Sequence, residues 1–366
     1  MDGSGGRPLG RPDVAPVDLV WPPDLLPPSR PPALLYLDLN HWIGLSKARL
    51  GRESGSRYQS LLEALRLVTE GRRVRILLSG SLVQEISAIR DPGQREHLAA
   101  VIEELTEFEY LAGLVDVRKL ELQAVMDAMT GTRGLGLGPV QLIGKSLLHS
   151  FGMVGGLRVV DANGEPVALG AQDRERLAGL ERIAEKMLVA GPTDDDVPGL
   201  QELGYAPEIP RDALVTNALI EQEFADRQLS ETWRRGRLRD VLIAREVNLE
   251  LNEMLAAELH ARGLTLADVA TSLPEARRLV LSMPSSCVVV EMKTSYHRDS
   301  RKRWTINDLH DIHAMSLAVP YCDIVFTDAA ARDAVRRAKL HKRMNTLLPR
   351  TPEELREILQ GLPGCD

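Results

Sequence analysis

The chain has 366 residues, a formal net charge of −7 and only 4% aromatic residues. An acidic, aromatic-poor chain is excluded from coating nucleic acid through general basicity, or from stacking bases on a broad aromatic platform. It leaves room for a nucleic-acid enzyme with a local basic rim, because the acids of a metal site are offset by their ion. No stretch is long and apolar enough to cross a membrane, and the first residues lack the apolar core of a signal peptide. Three cysteines, Cys287, Cys322 and Cys365, have no ligand-like spacing, which predicts a soluble protein in the reducing cytoplasm.

Residues 1–32 are rich in Gly, Pro and Arg and read as a flexible or extended tail. Residues 34–39, LLYLDL, are apolar except for Asp38, as in a parallel strand buried on both faces. Asn40 and His41 follow it. Residues 58–70 read as an amphipathic helix closed by Gly71, and Val74–Leu78 as a second strand. Ser81 with Gln84 suggests a capping box for a helix that carries Glu85. Residues 94–108 form the next predicted helix. Strand, helix, strand, helix predicts a parallel α/β unit over 33–109.

Residues 110–300 carry mostly helical patterns and read as an insertion or a docked subdomain. The glycine-rich stretch 131–138 and Gly144–Lys145–Ser146 lack P-loop spacing and read as a hinge or turn. An Asn-Gly turn suggests a small hairpin over 160–166. Residues 238–260 read as one long helix, and Pro284 starts another. Residues 301–366 return to the α/β pattern. A helix carrying Asp308 and Asp311 on one face is stopped by Pro320, then a strand over 323–326 leads to Thr327 and Asp328. A basic helix over 331–342, a last strand near 345–348 and a helix capped by Thr351 close the chain.

In a parallel sheet the places held by Asp38, Glu85, Asp311 and Asp328 meet at the carboxyl edge, where open α/β sheets bind ligands. Carboxylates crowded there raise one another's pKa values unless a hard cation sits among them. Oxygen ligands alone select Mg²⁺ or Mn²⁺. Such an ion can activate water against a phosphodiester. Asp308 is a further candidate ligand, and Asn40 and Thr327 are placed to support the acids. His41, His310 and His313 read as polar wall or core. Two basic segments flank the acids and suit a phosphate backbone. The first holds Arg298, Arg301, Lys302 and Arg303, with Trp304 available to stack on a base. The second holds Arg336 and Lys339.

LLYLDLN, SLVQEI and NDLHDIHAMSLAVPYCDIVFTD together resemble the PIN-domain nucleases. The resemblance implies a three-layer α/β/α parallel sheet and a Mg²⁺- or Mn²⁺-dependent endoribonuclease, a group that includes many bacterial toxins. It casts Asp38, Glu85, Asp311 and Asp328 as the family's acids in that order and leaves Asp308 as an extra. It covers residues 33–108 and 304–360. The long insertion departs from the small members, and it either shapes an RNA cleft or binds a protein that controls the nuclease. A flap-type DNA nuclease shares the same acids and is the first alternative. The second is a non-catalytic regulatory module whose acids are only helix caps. A haloacid-dehalogenase-type phosphatase needs an Asp where Asn40 stands.

Overall fold

A computed structural model describes residues 17–28, 32–153 and 157–363. Residues 1–16 and 29–31 of the expected tail, and Cys365, lie outside the described residues. The fold is mixed α/β, mostly helical, with a few short parallel strands. Its centre is β1 (Ala33–Leu37), β2 (Val74–Leu77) and β3 (Ile324–Phe326), all parallel in the order β2-β1-β3. Tyr36 lies opposite Leu77 and Val325, and Leu37 opposite Phe326, so the three strands end together. Single parallel bridges, Leu78 to Tyr110 and Ile324 to Leu347, extend the two edges. The expected strand over 345–348 is only this bridge.

Side chains alternate along β1, which explains its unbroken apolar run. Leu35 and Leu37 enter one apolar cluster with Ile76, Ile324 and Phe326. Leu34 and Tyr36 enter another with Leu77 and Val325. The first cluster is filled by α1 (Leu39–Arg49), α2 (Gln59–Glu70), α3 (Gly80–Ser87) and α4 (Pro92–Leu105). The second is filled by α5 (Leu114–Thr130) and by later helices of the chain. Beyond α5 come α6 (Ala171–Ala190), α7 (Glu208–Glu223) and α8 (Pro284–His297). The chain then returns through α9 (Ile306–Tyr321), α10 (Ala329–Arg337) and α11 (Pro352–Gln360). Helix α11 goes back to the first cluster through Leu355 and Leu359. Each fully buried Leu or Phe in these clusters contributes about 1.5–3 kcal/mol.

The inserted stretch therefore shares core with both faces of the sheet: most of it joins the second cluster, while Tyr110, Leu147 and Val189 of α6 enter the first. Glu121 of α5, fully buried, makes the joint polar as well. It accepts from the backbone N–H of Ser285 at 3.0 Å and from the hydroxyls of Ser285 and Tyr321, both at 2.5 Å. Burial pushes its carboxyl up to about 7 despite these donors.

Several local expectations change. Residues 17–28 are not a loose tail: Leu25–Leu26 pair in parallel with Val140–Gln141, and Leu25 is buried. Ser79, not Ser81, caps α3, accepting from Leu82 N–H at 3.2 Å. Pro320 lies inside the last turn of α9 rather than beyond it, and Cys322 N–H closes that turn on Ala318 at 2.9 Å. The long helix over 238–260 is interrupted by a π-turn at Glu246–Glu250. The turn brings Glu246 into the interior, where it meets Arg118 at 3.1 Å and the Ser286 hydroxyl at 3.0 Å. Lys145, in the glycine-flanked segment, is paired with Glu107 at 3.1 Å. Val160 and Pro166 form the expected antiparallel bridge.

Candidate functional site

Asp38 follows β1 directly. Its backbone N–H donates to the Phe326 carbonyl at 3.0 Å, so strand pairing continues one residue past β1 and fixes the side chain at the sheet edge. Asp38 also caps α1, with Oδ1 accepting from Leu39 N–H at 2.7 Å. The Thr327 hydroxyl reaches Oδ2 at 3.5 Å. Asp328, one residue beyond Thr327, caps α10 and accepts from Ala331 N–H at 2.8 Å. Two helices thus begin side by side on adjacent strands, and their N-termini favour the two carboxylates.

Glu85 on α3 and Asp311 on α9 come from the two sides of this edge. The four acids line one cleft of about 600 Å³, together with Asn40, Gln84, Asn307 and His310. Glu85 and Asp311 are partly buried and, among the described residues, no hydrogen-bond donor reaches either carboxyl group. Burial, and then the charges of Asp38, Asp311 and Asp328, push Glu85 up to about 8. Burial, and then Asp328, Asp38 and Asp308, push Asp311 up to about 8. Asp38 rises to about 6, mainly through burial, with the Leu39 amide acting in the other direction. An acid with no donor and several acidic neighbours is costly unless a cation joins them.

Among the described residues, no group of three or more His, Cys, Asp or Glu side chains stands ready as a metal site. The four carboxylates share a cleft and feel one another's charge, but they are not drawn together. The donor set fits a hard divalent ion in its chemistry: carboxylate oxygens without sulfur, and two acids lacking any other partner.

The other expected site residues divide. Asn40 lines the cleft and Thr327 touches Asp38. Asp308 is occupied elsewhere. It forms a capping box with Thr305, accepting from its N–H and hydroxyl at 2.9 Å each, and pairs with Lys302. None of the seven expected substrate contacts lines the cleft. Trp304 is buried edge-on to Tyr296, with ring centroids 5.8 Å apart, and cannot stack on a base. Arg303 pairs with Asp226 at 3.4 Å and Arg301 with Asp299 at 3.8 Å. Arg298, Arg336 and Lys339 are exposed on other surfaces. His41 is a packed wall residue. It stacks on Phe326 at 3.4 Å, bonds the Tyr58 hydroxyl at 2.9 Å, and burial lowers it to about 4. His310 is likewise lowered to about 4 by burial.

The cations that do line the cleft are Arg90, in the turn after α3, and Arg211 on α7. Neither makes an ion pair or side-chain hydrogen bond among the described residues. Arg90 lies five positions after Glu85 and was within reach of sequence reasoning. Arg211 lies far from every acid in the chain, and nothing local marks it. Helix α7 is held in place from its other end. Glu221 bonds His297 and Lys293 at 2.8 Å each, and Gln222 accepts the Trp304 N–H at 2.9 Å. Comparison with protein-family models, curated proteins and solved structures gave no match.

Proposed function

We propose that this chain is a Mg²⁺- or Mn²⁺-dependent nuclease of the PIN-like kind that cuts RNA, its helices covering the sheet in a three-layer arrangement. The observation that carries this reading is the pairing of Glu85 with Asp311. Asp38 and Asp328 have structural work as helix caps, which alone would explain them. Among the described residues Glu85 and Asp311 cap nothing and receive no donor, yet they line the same cleft. The regulatory-module alternative, in which the acids serve only as caps, leaves these two without a role.

On this reading Asp38, Glu85, Asp311 and Asp328 hold the ion. Once bound, it supplies Lewis acidity that eases deprotonation of water and offsets charge on a phosphodiester. The remaining work falls to the chain. Thr327 orients the Asp38 carboxylate through Oδ2, and the two helix starts keep Asp38 and Asp328 aimed at the sheet edge. Neutral His41 and His310 wall the site without adding positive charge that would compete with the ion. Arg90 and Arg211, which both line the cleft, supply bidentate donors for the phosphate oxygens.

The test is cleavage of end-labelled RNA and DNA of matched sequence, with Mn²⁺ and with EDTA. Glu85→Gln and Asp311→Asn are expected to lower RNA cutting by about 10²-fold or more while circular dichroism stays unchanged. Undiminished cutting by both variants would refute the reading. Preferential cutting of DNA would move the assignment to the flap-type nuclease.

A further inference from the structure

The walls of the acid cleft continue beyond it. Asn40 of α1 lines the cleft; Ile43, Ser46 and Lys47 of the same helix line a second depression of about 330 Å³. Asn40, Ile43 and Lys47 follow helical spacing, so they lie along one face of α1, with about 10 Å between the first and last. The opposite wall behaves in the same way. Ser87, Ala88 and Arg90 border the cleft, and the chain then passes through Asp91 and Gly93 to Gln94 and His97 of α4, which border the second depression. Arg52 also lines it. The two depressions are thus bordered by the same two walls, α1 and the α3–α4 stretch, which make up the α1–α4 groove.

Charge along this groove differs from charge around it. On the neighbouring surface basic residues are paired: Arg49 and Arg66 both bind Glu104, at 2.6 and 2.5 Å. Lys47 and Arg52 line the groove without an ion pair or side-chain hydrogen bond among the described residues, as does Arg90 at its junction with the cleft. The acid that borders the second depression, Asp91, is engaged as the cap of α4 through Gly93 N–H at 2.9 Å. In a chain of net charge −7, three unpaired cations in file from a phosphodiester-cleaving cleft fit a polyanion with regularly repeated charge.

We propose that a single-stranded polynucleotide runs from the four acids along the α1–α4 groove, its backbone phosphates meeting Arg90, then Lys47 and Arg52. The inference rests on the nuclease reading for its substrate class. It adds that the substrate is a polymer bound over several phosphates, since Lys47 lies about 10 Å from the cleft residue Asn40 along α1. Contacts of this kind go to backbone oxygens, so they set register and affinity without reading bases.

The experiment uses the full chain in two backgrounds. Binding of fluorescein-labelled oligouridine and oligothymidine is followed by anisotropy in the Asp311→Asn chain with Mg²⁺, so that the strand is not consumed. Hydrolysis of bis(4-nitrophenyl) phosphate with Mn²⁺ is followed in the otherwise wild-type chain, because this small diester needs only the cleft. Lys47→Ala with Arg52→Ala removes two phosphate contacts at half-buried and exposed positions, where substitutions leave folding intact. Each single-strand contact contributes a slope of about −0.7 to log K against log salt. The double variant should therefore lose about 1.4 of slope and about 25-fold in affinity at 0.1 M salt, with small-diester hydrolysis unchanged. Equal losses for both polymers identify backbone contacts; a loss confined to oligouridine would overturn phosphate contact as the role of these two residues. Unchanged affinity and slope would overturn the groove assignment even if the cleft cuts RNA. Lost slope in the double variant, with a wild-type chain that cleaves neither RNA nor the small diester, would keep the groove and sink the nuclease reading.

Discussion

Replacing Asp311 by Asn should make the metal-free protein more stable while it removes activity. The reasoning starts from the carboxyl group, pushed from an ordinary value near 3.8 up to about 8 by burial and by Asp328 and Asp38. A carboxyl group whose folded pKa exceeds its unfolded value binds more protons in the folded state. Its contribution to stability is therefore complete below about pH 4 and is lost as pH rises towards 8. One such group shifted by about four units sets a ceiling of about 5 kcal/mol. The effective figure is smaller: the charge of Asp311 also raises Glu85, so the two titrations are linked, and the cleft is open to solvent. About 2 kcal/mol is a reasonable magnitude for Asp311 alone at pH 8. For a chain of this length that corresponds to a rise of about 3 °C in Tm. The assay is thermal unfolding by circular dichroism in EDTA at pH 5 and pH 8. Wild type should lose stability between the two, and Asp311→Asn should lose less. Adding Mn²⁺ at about 100 times its Kd should raise wild type by about 2.7 kcal/mol at pH 8 and leave Asp311→Asn nearly unmoved. A wild-type Tm that is flat from pH 5 to pH 8, together with an Asp311→Asn protein no more stable than wild type, would refute the argument that these acids are held at a cost.

Other substitutions test the supports of the site. Gly44→Ala would place a Cβ 2.4 Å from the Tyr58 ring, which packs flat on α1 and holds His41 through its hydroxyl. A loss of about 1–3 kcal/mol in urea unfolding is expected from this overpacking. Glu121→Ala strands the Ser285 amide, the Ser285 hydroxyl and the Tyr321 hydroxyl in the interior between α5, α8 and α9. Chemical denaturation should show a cost of about 2–4 kcal/mol, whereas Trp304→Phe should leave oligouridine affinity unchanged, since that ring is packed against Tyr296 and His297.

Much of the framework is local and could be read in order. The run Leu34–Leu37 is apolar at every position because both faces of β1 are covered, and Thr351 caps α11 from the expected place. The failures are also physical. Ser79 and Ser81 are both plausible caps two positions apart, and Ser79 is the one whose backbone stays extended where α3 begins. Thr305 and Asp308 carry a capping-box spacing that was visible, yet the proximity of Asp308 to Asp311 made it look like a ligand. A tryptophan beside four basic residues has the same sequence signature whether it stacks on a base or, like Trp304, packs inward. Arg211 required knowing that the start of α7 lines the cleft, a placement to which Glu221 and Gln222 at the helix's other end contribute.

The four acids named from the sequence are held at the edge in two different ways. Asp38 and Asp328 are determined twice, once as caps that start α1 and α10 and once as members of the cleft. Folding keeps them where they are whether or not anything binds. Glu85 and Asp311 are determined only by what they face. They sit on helices that would be equally well formed, and less burdened, with Gln or Asn at those positions. Helix-cap chemistry therefore accounts for half of the acidic edge and cannot account for the other half. The unexplained half is the pair that lacks donors, so the case for a bound cation stands or falls on Glu85 and Asp311 rather than on the more conspicuous acids at the strand ends.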